Sequence, residues 1–238
     1  KKEDDWLSVK ALREKVRDSQ STEVLFIEQC YNFLNEGGYL AIVIPDGILT
    51  NSSMQYVRDN IEEMYRIVAV VSMPQTAFSA TGAGVKSSVL FLRKHTKTQT
   101  EKIINQKDIL KEKVKSDNKY IETIEKWEKD KKETIKKLET EAKKKNPKFS
   151  KKEINEFIKD DKTKIQNEYK DKINFLKEEL TEKYFVAKQL ELDDYPIFMA
   201  IAEDIGYDAT GRETRNNELI EIGKELSKFI NHINETEV

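Results

Sequence analysis

The chain has 238 residues, of which 37% are hydrophobic and 36% charged, with a net charge of −2. This composition is typical of a soluble chain of one or two domains with a sizeable core. The longest apolar runs, residues 39–44 and 197–202, fall far short of the roughly 20 residues of a membrane span, so a membrane protein is excluded. The single cysteine, Cys30, excludes a disulfide scaffold and, without an apolar leader behind Lys1-Lys2, favours the cytoplasm.

Charge and glycine divide the chain into three predicted regions. Residues 101–190 contain 26 lysines and 20 acidic residues but neither arginine nor glycine, so all eight glycines lie elsewhere. We predict an α/β segment over residues 1–98, a Lys/Glu-rich helical insertion over 99–190, and a helical segment over 191–238 that packs on the α/β part. Because the chain begins at Lys1 and not at Met, we expect it to be a piece of a longer protein.

The first region opens with a helix and a buried strand. Ser21 or Thr22 can cap a helix in which Phe26, Cys30 and either Phe33 or Leu34 recur at three- and four-residue spacing and predict one apolar face. Residues 40–44 are apolar without alternation. This pattern predicts a strand that is covered on both faces of a parallel sheet.

A second helix and two further strands follow. Val57, Ile61 and Met64 share one face of the predicted helix, and residues 67–71 form the next apolar strand, which gives a parallel crossover. Residues 87–92 follow too closely for another crossover, so we predict an antiparallel strand at the sheet edge. Because three strands are few for an open sheet, we expect an open flank where earlier strands dock.

Three stretches of the sequence carry a more specific pattern. The first comprises residues 26–30 and 33–49, with Phe33-Leu34-Asn35-Glu36-Gly37-Gly38 and Pro45-Asp46-Gly47. The second comprises Val71-Ser72-Met73-Pro74 and residues 77–92, with Ala77-Phe78-Ser79-Ala80-Thr81-Gly82-Ala83-Gly84-Val85-Lys86. The third is Ile205-Gly206-Tyr207-Asp208-Ala209-Thr210-Gly211-Arg212. In this order they resemble the later half of N6-adenine DNA methyltransferases, most closely the methylation subunits of type I restriction-modification systems. The resemblance covers about residues 20–94 and 195–225.

The resemblance implies a fold for the parts of the chain that it covers, and the residue pattern of the insertion predicts the helical part between them. We expect an α/β protein, the C-terminal half of a Rossmann-like methyltransferase sheet that uses S-adenosylmethionine. Its sheet has parallel strands plus one antiparallel edge strand. A long antiparallel helical hairpin is inserted after it, and a helical C-terminal tail follows.

The resemblance also implies where the chemistry lies. The family binds S-adenosylmethionine at a glycine-rich turn after its first strand and catalyses transfer with an Asn-Pro-Pro-aromatic motif after its fourth, and this sequence contains neither. If the matching stretches are strands five to seven, both motifs precede Lys1. We expect the intact protein to methylate a flipped adenine in double-stranded DNA, and this chain alone to be inactive, without cofactor or catalytic residues. A specificity subunit is the implied partner, and a restriction subunit is a further candidate.

Four candidate residues for binding the target base or DNA lie between the second and third predicted strands. Phe78 occupies the position at which the family places an aromatic ring against the extruded adenine. Thr81, Gly82 and Lys86 are the other candidates of this loop. The alternatives are that Phe78 packs under its own loop and that the glycines only make the loop flexible.

Three candidates lie at the end of the first predicted strand. Pro45, Asp46 and Gly47 follow its carboxyl end, where open α/β sheets bind their ligands. Asp46 could equally be a helix cap or a turn residue. His95 and His232 have no cysteine or histidine at ligand spacing, so we predict surface histidines and no metal site.

The insertion predicts an antiparallel helical hairpin. Apolar residues at three- and four-residue spacing run through 121–142 and 154–180, the pair Asn-Pro at 146–147 ends the first helix, and Ser150 with Glu153 forms a capping box for the second. Interleaved Lys and Glu without Arg are typical of a solvated coiled-coil surface. A spacer, a protein-binding arm and a DNA-binding arm are the possible roles.

The C-terminal segment predicts two helices. The first begins at Pro196 and ends at Gly206, and the second covers residues 219–230. Two other functions are open at this point. One is a non-enzymatic interaction protein in which the hairpin does the binding, and the other is a Rossmann-like methyltransferase that acts on RNA or protein.

Overall fold

The computed structural model describes residues 20–192 and 194–236, so the beginning of the predicted α/β segment lies outside the described residues. The chain divides into two units, one formed by Lys1–Ile104 with Tyr195–Val238 and the other by Asn105–Asp194. In chain order the elements are α1 (Thr22–Phe33), β1 (Tyr39–Pro45), α2 (Asp46–Thr50), α3 (Gln55–Met64), β2 (Tyr65–Ser72), β3 (Ser87–Lys94), α4 (Lys97–Asp117), α5 (Tyr120–Lys145), α6 (Lys151–Phe157), α7 (Lys159–Glu191), β4 (Phe198–Ile201), β5 (Ile205–Tyr207), β6 (Glu213–Asn217) and α8 (Leu219–Thr236).

The first unit contains a four-stranded sheet in the order β1-β3-β2-β4, with β3 antiparallel to both of its neighbours and β4 parallel to β2. The predicted α/β class and the antiparallel strand are confirmed. The predicted edge position of that strand is wrong, because β3 lies between β1 and β2. Its apolar run suits an interior strand, since Leu90 and Leu92 pack with the helices on one face and Phe91 packs with α8 on the other.

Helices α1, α2 and α3 cover one face of this sheet. Val57, Ile61 and Met64 of α3 are buried there, as predicted. The predicted face of α1 is wrong at Phe26 and Phe33, which are 62% and 78% exposed, whereas the alternative Leu34 packs against the core. The helix carries apolar residues on more than one side, and those that are buried are Val24 and Ile27.

Strand β1 forms one end of the sheet, and no described strand pairs with its outer edge. Leu40 and Ile42 pack on the core, whereas Tyr39, Ala41 and Val43 are exposed. The prediction that β1 is covered on both faces is therefore wrong within the described part of the chain. Its lack of alternation reflects apolar residues on an open face.

Helix α8 covers the other face of the sheet, where Leu226 and Ile233 pack in one cluster with Val68. The prediction of a helix over residues 196–206 is wrong, because this segment contains the strands β4 and β5. Strand β4 pairs with β2 across about 130 residues of sequence, and β5 pairs with β6 in a small antiparallel sheet. Tertiary pairing overrides the local helical pattern here, since β-propensity depends strongly on context.

The second unit contains the predicted antiparallel pairing of long helices. Lys162 of α7 lies 3.4 Å from the carboxylate of Glu139 on α5, and Lys183 donates a 2.6 Å hydrogen bond to Asn118 just before α5. Later residues of α7 therefore lie beside earlier residues of the α5 segment, so the two helices are antiparallel. Among the described residues the insertion has four helices, because α4 precedes the pair and a break at Ile158 separates α6 from α7.

The predicted end and start signals of the hairpin are confirmed. Helix α5 ends at Lys145, directly before Asn146 and Pro147. The Ser150 amide donates to the Glu153 carboxylate at 2.7 Å, and the Glu153 amide donates to the Ser150 hydroxyl at 3.4 Å. This reciprocal pair is the predicted capping box.

The two histidines differ in environment. His232 is exposed as predicted, but His95 is half-buried, and burial lowers the pKa of its imidazole. Over the described residues, no group of three or more His, Cys, Asp or Glu could hold a metal ion. None of the described helices has the length and apolarity to cross a bilayer.

A buried hydroxyl ties α1 to the sheet and leads to a stability prediction. The Tyr65 side chain is completely buried and donates a 2.9 Å hydrogen bond to the carbonyl of Ile27. We expect Tyr65→Phe to lower the free energy of unfolding by about 1 kcal/mol, measured by urea denaturation.

The control is Tyr39→Phe, which removes an exposed hydroxyl that donates to Asn234 at 2.6 Å. Water replaces that bond, so we expect a loss of less than about 0.5 kcal/mol. Equal losses in the two variants would contradict the role assigned to the buried hydroxyl.

Candidate active-site edge

The antiparallel direction of β3 brings three chain segments to one edge of the sheet. Ser87 pairs with Pro45 at the end of β1, and Ser88 pairs with both Ile44 of β1 and Ser72 of β2. The beginning of β3 therefore lies between the carboxyl ends of its two neighbours. Open α/β sheets bind their ligands at such an edge.

Asp46 connects these segments through side-chain and backbone bonds. One carboxylate oxygen accepts a 2.6 Å hydrogen bond from the Ser88 hydroxyl, and the other lies 3.1 Å from the Lys86 ammonium. The Asp46 amide also donates to the carbonyl of Lys86 at 3.0 Å. Because Ser88 is 2% exposed, its hydroxyl depends on this acceptor. Asp46 is the first residue of helix α2, but the N-cap is Pro45 and no side chain caps the helix, so the helix-cap interpretation of Asp46 is wrong.

Lys86 is held at this edge by two partners. Besides its ion pair with Asp46, its ammonium donates a hydrogen bond to the hydroxyl of Ser72. The lysine therefore joins the end of the loop over residues 73–86 to the ends of both neighbouring strands. A DNA-binding role for Lys86 remains a prediction, and in this structure its charge is paired.

Phe78 is half-buried within the 73–86 loop. Its ring packs against a buried cluster that contains Met73 and Ala77 of the same loop and Ala202 and Ile205 of the C-terminal segment. Packing under the loop, the alternative interpretation of this residue, is therefore part of its role. A half-buried ring also keeps exposed surface, so contact with a base remains a prediction.

The other loop candidates form an exposed turn. The Thr81 hydroxyl donates to the Phe78 carbonyl at 2.8 Å, and the Gly82 amide donates to the Ser79 carbonyl at 3.0 Å. Gly82 has a φ of +84°, a conformation that favours glycine. A Cβ atom added at Gly82 or Gly84 would meet only open space, so the turn leaves room beside its backbone.

The β5–β6 hairpin reaches the same loop from the C-terminal segment. The Tyr207 hydroxyl donates to the Ala77 carbonyl at 3.1 Å. At the hairpin tip, one oxygen of Asp208 accepts bonds from the amide and the hydroxyl of Thr210 and from the amide of Arg212, at 2.8, 2.7 and 3.1 Å. The three stretches that carry the family resemblance are thus joined by direct contacts.

Sequence reasoning missed several residues of this edge. The hydroxyls of Ser72 and Ser88 went unnoticed because each occurs within or beside an apolar strand. Asp208 stands before Thr210 and Gly211 in a pattern that is typical of tight turns, and that signal could have predicted the hairpin. No local signal shows that Tyr207 contacts the loop.

The described residues do not fit S-adenosylmethionine. No glycine-rich turn directly follows β1, β2 or β3, because β1 leads into Asp46 of α2, β2 leads into Met73-Pro74, and β3 is followed closely by α4. The Asp46 carboxylate, the acidic group at this edge, is already bonded to Ser88 and Lys86. No step of methyl transfer is therefore assigned to these residues.

Comparison with known proteins identifies the family of this chain. Residues 2–180 match the model of the N-6 DNA Methylase family, which is more than half of the chain. The chain therefore belongs to the N-6 DNA Methylase family.

Two other comparisons add little to this assignment. A solved structure described as a class I S-adenosylmethionine-dependent methyltransferase from Listeria monocytogenes is 27% identical, with a TM-score of 0.30. The match covers 38% of this chain and 28% of that protein, so this chain spans less than a third of its length. No curated protein matches.

The bonds of Asp46 lead to a prediction about the stability of the edge. In Asp46→Asn the amide oxygen can still accept from Ser88, so only the half-exposed ion pair is lost, at about 1 kcal/mol or less. In Asp46→Ala the buried Ser88 hydroxyl loses its acceptor, so we expect a loss of about 1–3 kcal/mol in urea denaturation. If Asp46→Asn lowered the free energy of unfolding as much as Asp46→Ala, the hydrogen bond from Ser88 would not be the main stabilising contact of Asp46.

The hairpin tip leads to a prediction about pH. The hydroxyl of Thr210, followed by the amides of Arg212 and Thr210, lowers the pKa of the Asp208 carboxyl. Because the folded pKa is depressed, this stabilisation is present above the ordinary pKa of an aspartate and is lost as the pH falls through the folded one.

The amide proton shift of Thr210, followed by NMR from pH 6 downwards, checks this. We expect a midpoint below the usual aspartate range and no such transition in Asp208→Asn, which keeps an acceptor oxygen but does not titrate. A midpoint at the ordinary aspartate value would show that the tip bonds do not favour the carboxylate.

Proposed function

We propose that this chain is the later half of the catalytic domain of a site-specific DNA adenine-N6 methyltransferase. The intact protein transfers a methyl group from S-adenosylmethionine to an adenine that is flipped out of double-stranded DNA. The observation that carries the proposal is the meeting of three distant stretches at one sheet edge, through Asp46 with Lys86 and Tyr207 with Ala77. Membership of the N-6 DNA Methylase family supports the adenine chemistry.

The open end of the sheet supports the assignment to the later half of the domain. Strand β1 exposes Tyr39 and Val43 on one face, and α1 exposes Phe26 and Phe33. Apolar surface at an unpaired strand is unfavourable in water, so an occupant is expected. The occupant in this proposal is the preceding part of the same catalytic domain, which carries the cofactor site and the Asn-Pro-Pro-aromatic motif.

The 73–86 loop supports the proposed contact with the target base. A flipped base needs an apolar surface on which to stack. Phe78 is fixed on its inner side by the cluster with Met73 and Ile205 and is exposed in part. Thr81 and Gly82 form the exposed turn beside it, with open space at the glycine.

The biological setting is a further part of the proposal. The order of the matching stretches is similar to that of methylation subunits of type I systems, so the DNA target would be chosen by a separate specificity subunit. A restriction subunit is a candidate third member of the complex. Such a complex acts on DNA in the bacterial cytoplasm.

Methylation by the intact protein tests the role of Phe78. Because Phe78 also packs on the core, Phe78→Leu is preferable to Phe78→Ala, as it keeps apolar volume but removes the aromatic face. Stacking of a base on an aromatic ring contributes about 1–3 kcal/mol, so we expect kcat/KM for adenine methylation to fall about tenfold.

Phe91→Leu is the matched control, because Phe91 is a half-buried phenylalanine of β3 that packs with α8. We expect it to lower stability about as much as Phe78→Leu does while it leaves kcat/KM within about twofold. The chain of residues 1–238 alone should not transfer a methyl group. Equal activity losses in the two variants, or methylation by this chain alone, would refute the proposal.

A further inference from the structure

The β5–β6 hairpin and the 73–86 loop form one packed structure, although about 120 residues separate them in sequence. Ile205 and Ala202 are buried against Ala77 and Met73. Above this apolar contact, the hydroxyl of Tyr207 donates to the carbonyl of Ala77 at 3.1 Å. The backbone immediately before Phe78 is thus held by a residue of the C-terminal segment.

The hairpin tip makes a second contact with the loop. Gly211 has a φ of +83°, and a Cβ atom at this position would lie 3.3 Å from the Cβ of Ala80. The tip therefore approaches the loop closely at a residue that has no side chain. Five bonds around Asp208 fix the shape of the tip: three to its carboxylate, one from its amide to the Arg212 carbonyl at 2.8 Å, and one from the Gly211 amide to its carbonyl at 2.9 Å.

Beyond Ala77 the loop makes mostly local bonds of its own. The amides of Thr81 and Ala83 both donate to the carbonyl of Phe78, at 3.1 Å each, and the Gly82 amide donates to the Ser79 carbonyl. One bond crosses the loop, from the side-chain amide of Gln75 to the carbonyl of Gly84 at 2.7 Å. Residues 80–85 are exposed, and none of them belongs to a buried apolar cluster among the described residues. Such a short segment opens locally at little free-energy cost unless something fixes its base.

We propose that the β5–β6 hairpin is a positioning element for the 73–86 loop, and that Tyr207 is its positioning residue. Tyr207 fixes the carbonyl of Ala77, and this sets the place of Phe78 and of the turn that follows. The role of the loop in binding a flipped adenine rests on the proposed function, whereas the holding of the loop does not. A preorganised loop captures an extruded base without first paying the entropy of becoming ordered.

Amide hydrogen exchange tests the holding of the loop. In Tyr207→Phe the ring remains and only the hydroxyl is lost. We expect the amides of Thr81, Gly82 and Ala83 to exchange about fivefold faster, the change that corresponds to one hydrogen bond, while the amides of β3 keep their rates.

A second variant and a control make this test specific. Gly211→Ala places a side chain in a left-handed conformation against Ala80, so we expect faster exchange at the same three amides. Tyr39→Phe removes the hydroxyl of a tyrosine whose side chain is exposed to a similar extent, 39% of the residue against 38% for Tyr207, at a site on β1 and α8. We expect it to leave the loop amides unchanged. Unchanged loop exchange in Tyr207→Phe, or a uniform rise over the whole first unit, would overturn the proposal.

Methylation kinetics of the intact protein test the consequence for base capture. With a correctly paired target adenine, we expect Tyr207→Phe to lower kcat/KM for DNA about fivefold without changing KM for S-adenosylmethionine. With a mispaired target adenine, which leaves the stack more easily, we expect a loss of less than twofold.

The two readouts distinguish the two proposals. Faster loop exchange with equal kinetic losses on both DNA substrates would show that the hairpin does not act in base capture, which overturns the positioning role. Faster loop exchange in an intact protein that does not methylate adenine would refute the proposed function and leave the hairpin as the holder of the loop.

Discussion

The antiparallel course of β3 between β1 and β2 is the constraint on which the arrangement of the site depends. Because β3 runs against both neighbours, its first residues must lie where theirs end, and the loop that leads into it must cross that edge. Ser88 therefore stands beside Ile44 and Ser72 at once. A parallel third strand would begin at the opposite edge and would take the loop with Phe78 away from Asp46.

Electrostatics at this edge serves geometry more than stability. The ion pair between Asp46 and Lys86 is partly open to water, with side chains 25% and 41% exposed, so its contribution to stability is about 1 kcal/mol or less. Its effect is to fix the Lys86 end of the 73–86 loop beside the end of β1, and the bond from Lys86 to Ser72 fixes the same residue beside the end of β2. Lys86 therefore fixes the geometry of this edge, and its positive charge is paired with Asp46 of the same chain.

Sequence reasoning worked where a pattern is local and failed where pairing is distant. The buried face of α3 with Val57 and Ile61, and the capping box at Ser150, follow from spacings of three and four residues. The place of β3 and the strand at 198–201 depend on partners far along the chain, which no local window contains. Phe78 was placed at the edge by resemblance, but its share in the core could be seen only once Ile205 lay beside it.

The hairpin pairing within the second unit bears on how such a chain can change over evolution. Lys113 and Glu191 form a 2.7 Å ion pair although they stand near opposite ends of that unit in sequence. Two helices that run out and back return the chain to where it left, whatever their length. Insertions or deletions matched on both arms therefore alter the reach of the unit while its entry and exit points remain neighbours, so its size is free to diverge between relatives.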